Sequence, residues 1–255
     1  MAQLLLDRLG MNHRTSAAST WTVPPILTQS EEAAASTLAS FGSLLSLRDA
    51  ETFAHSQRVI RYALKLGRRL GLAWEGLSTL GRGVFLHDLG KIHVPKTILN
   101  KPGPLSEAEW VVMKRHPATG YGMLRTAPHL EDEARIVLCH HEWYDGTGYP
   151  QGLKGEQIPL GARICAVVDM LDALTSARPY RRSVSFAEAC EQIRSERETH
   201  FDPFVVEAFL SISGAEWQAL KEEDHGLRSF VSPFAARPLA PWKGVHATFA
   251  VVRER

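Results

Sequence analysis

"IPLGARICAVVDMLDALTS", residues 158–176, is apolar on nearly every side of a helical wheel, yet Asp169 stands in the middle of it. A helix that is apolar all round belongs in the interior of a protein. A carboxylate placed there is costly unless it is hydrogen-bonded, ion-paired or bound to a cation. The stretch therefore predicts a central buried helix and raises the question of what Asp169 meets.

Helical signals dominate on both sides of it. In residues 44–72, Leu44, Leu47, Val59, Ala63, Leu66 and Leu70 follow a helical period. "LSEAEWVVMKRH" (105–116) pairs Ser106 with Glu109, and "SFAEACEQI" (185–193) pairs Ser185 with Glu188. Both are capping boxes that start helices. Asp202-Pro203 marks a third start, a cap followed by proline at the first helical position. His116 is expected inside the helix that Ser106 caps, and Asp88 in a short helix ending near Gly90. Strand signals are weak until "HATFAVVRER" (246–255). The reading is an all-α helical bundle over residues 36–213. A lead-in over 1–35 is flexible or carries a short helix, and a proline-containing extension covers 214–255.

Composition narrows the class. With 29 Lys and Arg against 28 Asp and Glu, the net charge of +1 gives no basic surface for a nucleic-acid polymer. Three scattered cysteines form no CxxC pair and read as reduced thiols; Cys139, beside two histidines, reads as core. No run of some 18 apolar residues offers a membrane segment. The expectation is a soluble, cytoplasmic protein.

The ionisable residues then form a pattern. Glu51 and His55 are four apart and share a helix face. His87 and Asp88 are adjacent, with Lys91 one turn later. His116, the pair His140 and His141, and Asp169 follow at helix-length intervals. Imidazole with carboxylate suits borderline divalent ions, and eight such groups exceed the need of one ion. A cluster of two or three metals is expected, with Asp88 placed to bridge a pair. Iron or manganese come first, with nickel, cobalt or zinc as alternatives.

"HDLGK" (87–91) and "HHEWYDGTGYP" (140–150) resemble the two defining motifs of HD-GYP domains, a group of the HD phosphohydrolase superfamily. "ILNKPGPLS" (98–106) and "DALTSARPYR" (172–181) are also similar to that family, so the resemblance covers about residues 40–212. It implies an HD-domain helical bundle with a metal cluster in its core and a GYP loop beside it. The implied activity is metal-dependent hydrolysis of the 3′-5′ phosphodiester of cyclic di-GMP to pGpG, with GMP as a further product. Rival readings are a non-catalytic receptor for the same ligand and a general HD-type nucleotide phosphohydrolase.

Residue by residue, the resemblance assigns metal ligation to His55, His87, Asp88, His116, His140, His141 and Asp169. Glu51 distinguishes a three-metal type. Lys91 resembles the lysine that contacts the scissile phosphate, and Asp88 and Lys91 are the implied catalytic pair. Gly148, Tyr149 and Pro150 look like the loop shaping the substrate pocket. Arg178 and Arg181 resemble the basic pair on the outer phosphate. Trp143 departs from the family, where a basic residue is frequent, and this puts a phosphate contact from that position in doubt. A receiver or sensor domain is commonly fused to such domains, and the 35-residue lead-in is too short to be one. A homodimer or a signalling partner protein is left open.

Overall fold

The computed structural model describes residues 36–44, 50–127, 129–176 and 182–222, with the side chains of 50–52 outside the description. Helix α1 covers 36–44, followed by α2 (Ala50–Arg69) and α3 (Trp74–Leu86). A 3-10 turn, Leu89–His93, leads into α4 (Lys96–Leu99) and α5 (Glu107–Met113). Then come α6 (His116–Leu124), α7 (Glu131–Cys139) and α8 (Leu160–Thr175). Helices α9 (Phe186–Ser195), α10 (Pro203–Leu210) and α11 (Gly214–Glu222) complete the order. Among the described residues the only β pairing is an isolated bridge between Arg197 and Phe201. The expected all-α bundle is what forms.

Helix α8 is the axis of the bundle, as its composition demands. Ile164, Cys165, Val167, Val168, Leu171 and Leu174 are fully buried, and α2, α3, α7 and α9 pack around them. Val59, Ala63 and Leu66 of α2 face this core as expected. Leu44 does not: it ends α1 about half exposed, and Leu47 lies outside the described residues. Both capping boxes form, Ser106 with Glu109 and Ser185 with Glu188. Asp202 caps α10, its carboxylate accepting from the Phe204 amide. Each such cap is worth about 1 kcal/mol.

Helix packing continues beyond residue 213. Trp217 of α11 is fully buried, edge-on to Tyr62 of α2 and stacked on Phe209 of α10. The "HATFAVVRER" tail lies outside the described residues.

Two local expectations need correction. Asp88 is not inside an α-helix: α3 stops at Leu86, His87 caps it, and Asp88 opens the 3-10 turn. There the Lys91 amide donates to the Asp88 carbonyl and the Val94 amide to that of Lys91, at 2.9 and 3.0 Å. His116 is not in the helix capped by Ser106 either. That helix ends at Met113, and His116 starts α6 with Pro117 beside it. Proline has no amide hydrogen to continue the ladder and crowds the residue before it, so the helix breaks and restarts.

Candidate metal centre and its loop

Helix ends deliver most of the candidate ligands. His87 caps the C-terminus of α3, His140 caps that of α7, and His116 begins α6. His55 projects from α2 and Asp169 from α8. Gly90 lets the turn after His87 meet the start of α6 at His116. A Cβ on Gly90 would stand 2.0 Å from the His116 carbonyl oxygen and 2.7 Å from the Gly120 amide nitrogen. Only a residue without a side chain lets the 3-10 turn press this close to α6.

The ligand atoms gather in two triads, His55, His87 and Asp88, and His116, His140 and His141. Within each triad they lie within 4.8 Å of one another. Asp88 spans the two, with one carboxylate oxygen 3.4 Å from His87 Nε2 and the other 3.4 Å from His116 Nε2. Asp169 Oδ1 lies 3.1 Å from His55 Nε2. Lys91 Nζ donates to Asp88 Oδ2 at 2.6 Å.

Ring orientation is fixed by what each histidine does with its other nitrogen. The Nδ1 atoms of His87, His116 and His140 face the carbonyls of Val84, Met113 and Val137, at 2.6–2.8 Å. His55 Nδ1 donates to Asp172 at 2.7 Å. With Nδ1 so engaged, the rings of His87, His116, His140 and His55 turn Nε2 inward, the arrangement that metal-binding histidines adopt.

This interior fits a cation and fits little else. His116 Nε2 and His140 Nε2 face each other at 3.2 Å, two lone pairs that repel unless a positive charge lies between or beside them. His87 Nε2 and Asp88 Oδ1 are buried with no hydrogen-bond partner. Such buried atoms are rare in proteins unless a ligand satisfies them.

The electrostatics agree. Burial, with the charge of Lys91 and neighbouring histidines, pushes His116 and His141 down to about 3 and holds His140 well below its ordinary range. Burial alone would raise the Asp88 carboxyl, but Lys91 and His87 outweigh it and keep Asp88 ionised. His55 is the exception. Burial would lower it, yet hydrogen bonds to Asp169 and Asp172 raise it to about 9.

The loop after α7 follows the centre closely. Gly146 has φ +89°, and at Gly148 a Cβ would meet the Trp143 amide nitrogen at 2.2 Å, so the turn folds back on its own start. Tyr149 stacks on His141 at 4.9 Å, and Lys114 Nζ lies 5.2 Å from the centroid of the Tyr149 ring. The Tyr149–Pro150 peptide is cis. Cys139 is buried and outside both triads, its thiol pushed up to about 11 by burial.

Two buried carboxylates escaped sequence reasoning. Asp172 receives the His55 ring and a two-pronged Arg58 guanidinium at 2.7 and 3.0 Å. Its signal was the spacing to Asp169, three residues on along the same apolar helix. Glu142 accepts from the amides of Gln151 and Leu153, at 2.6 and 3.0 Å, and so ties down the exit of the loop. Its signal was its place directly after the histidine pair. The side chain of Glu51 and residues 177–181, with Arg178 and Arg181, lie outside the described residues.

Comparison with known proteins places this arrangement. A family model described as HD domain matches residues 40–205. The chain is 43% identical over 182 residues to the cyclic di-GMP phosphodiesterase response regulator RpfG of Xanthomonas campestris, covering 71% of this chain and 48% of that protein. It is 36% identical over 173 residues to a Vibrio cholerae protein named as a 3′3′-cGAMP-specific phosphodiesterase, covering 67% and 33%. The chain thus spans half or less of the length of these relatives. In fold it is similar to the crystal structure of a cyclic GMP-AMP specific phosphodiesterase of Vibrio cholerae, with TM-score 0.55, 19% identity, and coverage of 82% and 54%. Among the described residues no helix is long and apolar enough to cross a membrane. With the family match spanning most of the bundle and both sequence motifs meeting at one buried centre, the chain belongs to the HD-domain family and carries the motifs of its HD-GYP group.

Proposed function

We propose that this chain is a metal-dependent phosphodiesterase that opens cyclic di-GMP to pGpG, with GMP as a further product. The observation that carries the reading is the pair of histidine triads joined by Asp88, with Lys91 beside it. His55, His87, Asp88, His116, His140, His141 and Asp169 would hold two divalent ions, iron or manganese before nickel, cobalt or zinc. Ions bound there lower the pKa of water toward neutrality and offset negative charge on the phosphate.

The chain's own groups do the rest. Asp172 and the backbone carbonyls hold the imidazoles in the ligating tautomer. Lys91 offers its ammonium to a phosphate oxygen beside Asp88, where it stabilises charge that grows in the transition state. Tyr149 fixes the loop against His141 and walls the pocket, with Gly148 and Pro150 setting its path. The test is incubation of the manganese- or iron-loaded chain with cyclic di-GMP and chromatography of the products. Release of pGpG supports the reading. Tight binding without turnover would support the receptor instead, and turnover of cyclic GMP-AMP alone would move the substrate, in line with a relative named for that nucleotide.

Arg178 and Arg181 are assigned to the outer phosphate, since a guanidinium fork matches phosphate oxygens. Arg178→Ala and Arg181→Ala are each expected to weaken cyclic di-GMP binding by about 1–3 kcal/mol. Metal content should stay unchanged. Equal affinity in wild type and both variants removes the assignment.

Glu51 is proposed to recruit a third ion. It lies one turn before His55 on α2. Glu51→Ala should lower bound metal from about three to about two per chain, read by elemental analysis. A wild-type value of two that the variant keeps would return Glu51 to the helix surface.

Metal uptake should also depend on pH in a set direction. In the metal-free chain His55 keeps its proton up to about pH 9, and a metal must displace it. Affinity should therefore rise about tenfold per unit from pH 7 toward 9 and then flatten, because His116 and His141 are already neutral there. Competition with a chromophoric chelator at three pH values measures it, and a flat response contradicts it.

A further inference from the structure

Trp143 is 39% exposed, directly beyond the histidine pair and Glu142. Its amide nitrogen is the atom against which Gly148 closes, so its backbone belongs to the loop whose Tyr149 stacks on His141. A single exposed aromatic needs no explanation by itself. This one is held in place from behind. The indole stacks on His200, with centroids 4.4 Å apart and planes at 25°. His200 in turn stacks on Phe201 at 4.1 Å and 14°, and Phe201 is buried in the main core.

The stack is fixed along its backbone as well. The Tyr144 and Asp145 amides donate to the carbonyls of His200 and Thr199, at 3.1 and 2.9 Å. His200 Nδ1 meets Glu196 Oε2 at 2.9 Å. One indole face is thus covered by an anchored imidazole, while Trp143 as a whole stays 39% exposed. A rigid, half-covered aromatic plane beside a phosphate-binding centre is suited to a flat partner. Every nucleobase offers a π-face, and stacking on an aromatic side chain costs little ordering when the ring is already fixed.

We propose that Trp143 is the stacking platform for one purine base of the bound nucleotide, and that it sets preference for base-bearing over base-free phosphoesters. This rests on the phosphodiesterase reading of the neighbouring centre. Indole stacking is blind to phosphate and dependent on the base.

Calorimetric titration of the full-length, manganese-loaded chain with GMP and with ribose 5-phosphate separates the two contributions, because the ligands share a phosphorylated sugar and differ in the base. The wild type should bind GMP more tightly than ribose 5-phosphate. Trp143→Ala should reduce that ratio on the order of tenfold through weaker GMP binding, and Trp143→Phe should keep most of it. Ribose 5-phosphate affinity and metal content should stay within twofold. An unchanged ratio in Trp143→Ala, or a wild type that binds the two ligands equally, overturns the platform. The phosphodiesterase reading fails by a different sign, the absence of pGpG when the wild type meets cyclic di-GMP.

Discussion

Replacing Asp88 with alanine is expected to reduce cyclic di-GMP hydrolysis by on the order of a thousandfold or more. Asp88 is the carboxylate that reaches both triads, 3.4 Å from His87 on one side and 3.4 Å from His116 on the other. It also receives Lys91 at 2.6 Å, so its loss sets the ammonium adrift from the centre. The helices do not depend on it, since α3 has ended before it and the 3-10 turn is closed by backbone bonds. Far-ultraviolet circular dichroism should therefore match the wild type while turnover disappears. Near wild-type turnover with full metal content would remove Asp88 from its bridging role.

Gly90→Ala is expected to damage both stability and the site. Its new methyl group would stand 2.0 Å from a backbone oxygen, and no side-chain rotation relieves a clash with main chain. Either the 3-10 turn or α6 must shift. Overpacking of this kind costs about 3 kcal/mol or more at a site that cannot yield. The shift moves His116 away from Asp88, so metal content should fall along with the urea midpoint. A variant with wild-type stability and metal content would show that the two elements do not press together at Gly90.

Local chemistry carried a good part of this arrangement in the sequence. Ser106 with Glu109, Ser185 with Glu188, and Asp202 with Pro203 each mark a helix start because a cap depends on residues three apart or fewer. The apolar run around Asp169 was legible as a buried helix because few solvated faces tolerate such composition. The gathering of the histidines was suggested by their spacing and by the family motifs. What spacing could not supply was geometry between distant segments. Gly90 reads as an ordinary turn glycine until α6 is seen against it. Asp172 reads as one more acid on a helix until His55, 117 residues earlier, is found donating to it. The break before His116 was written in Pro117, but the strong cap at Ser106 made one longer helix look adequate.

The central claim is that these histidines and carboxylates form one multi-metal centre. Elemental analysis of the chain purified anaerobically, without chelating steps, tests it most directly, with the Asp88→Ala variant alongside. The account predicts at least about two divalent ions per wild-type chain and fewer than about one in the variant. A wild-type chain that hydrolyses cyclic di-GMP fully with one ion or none would contradict it.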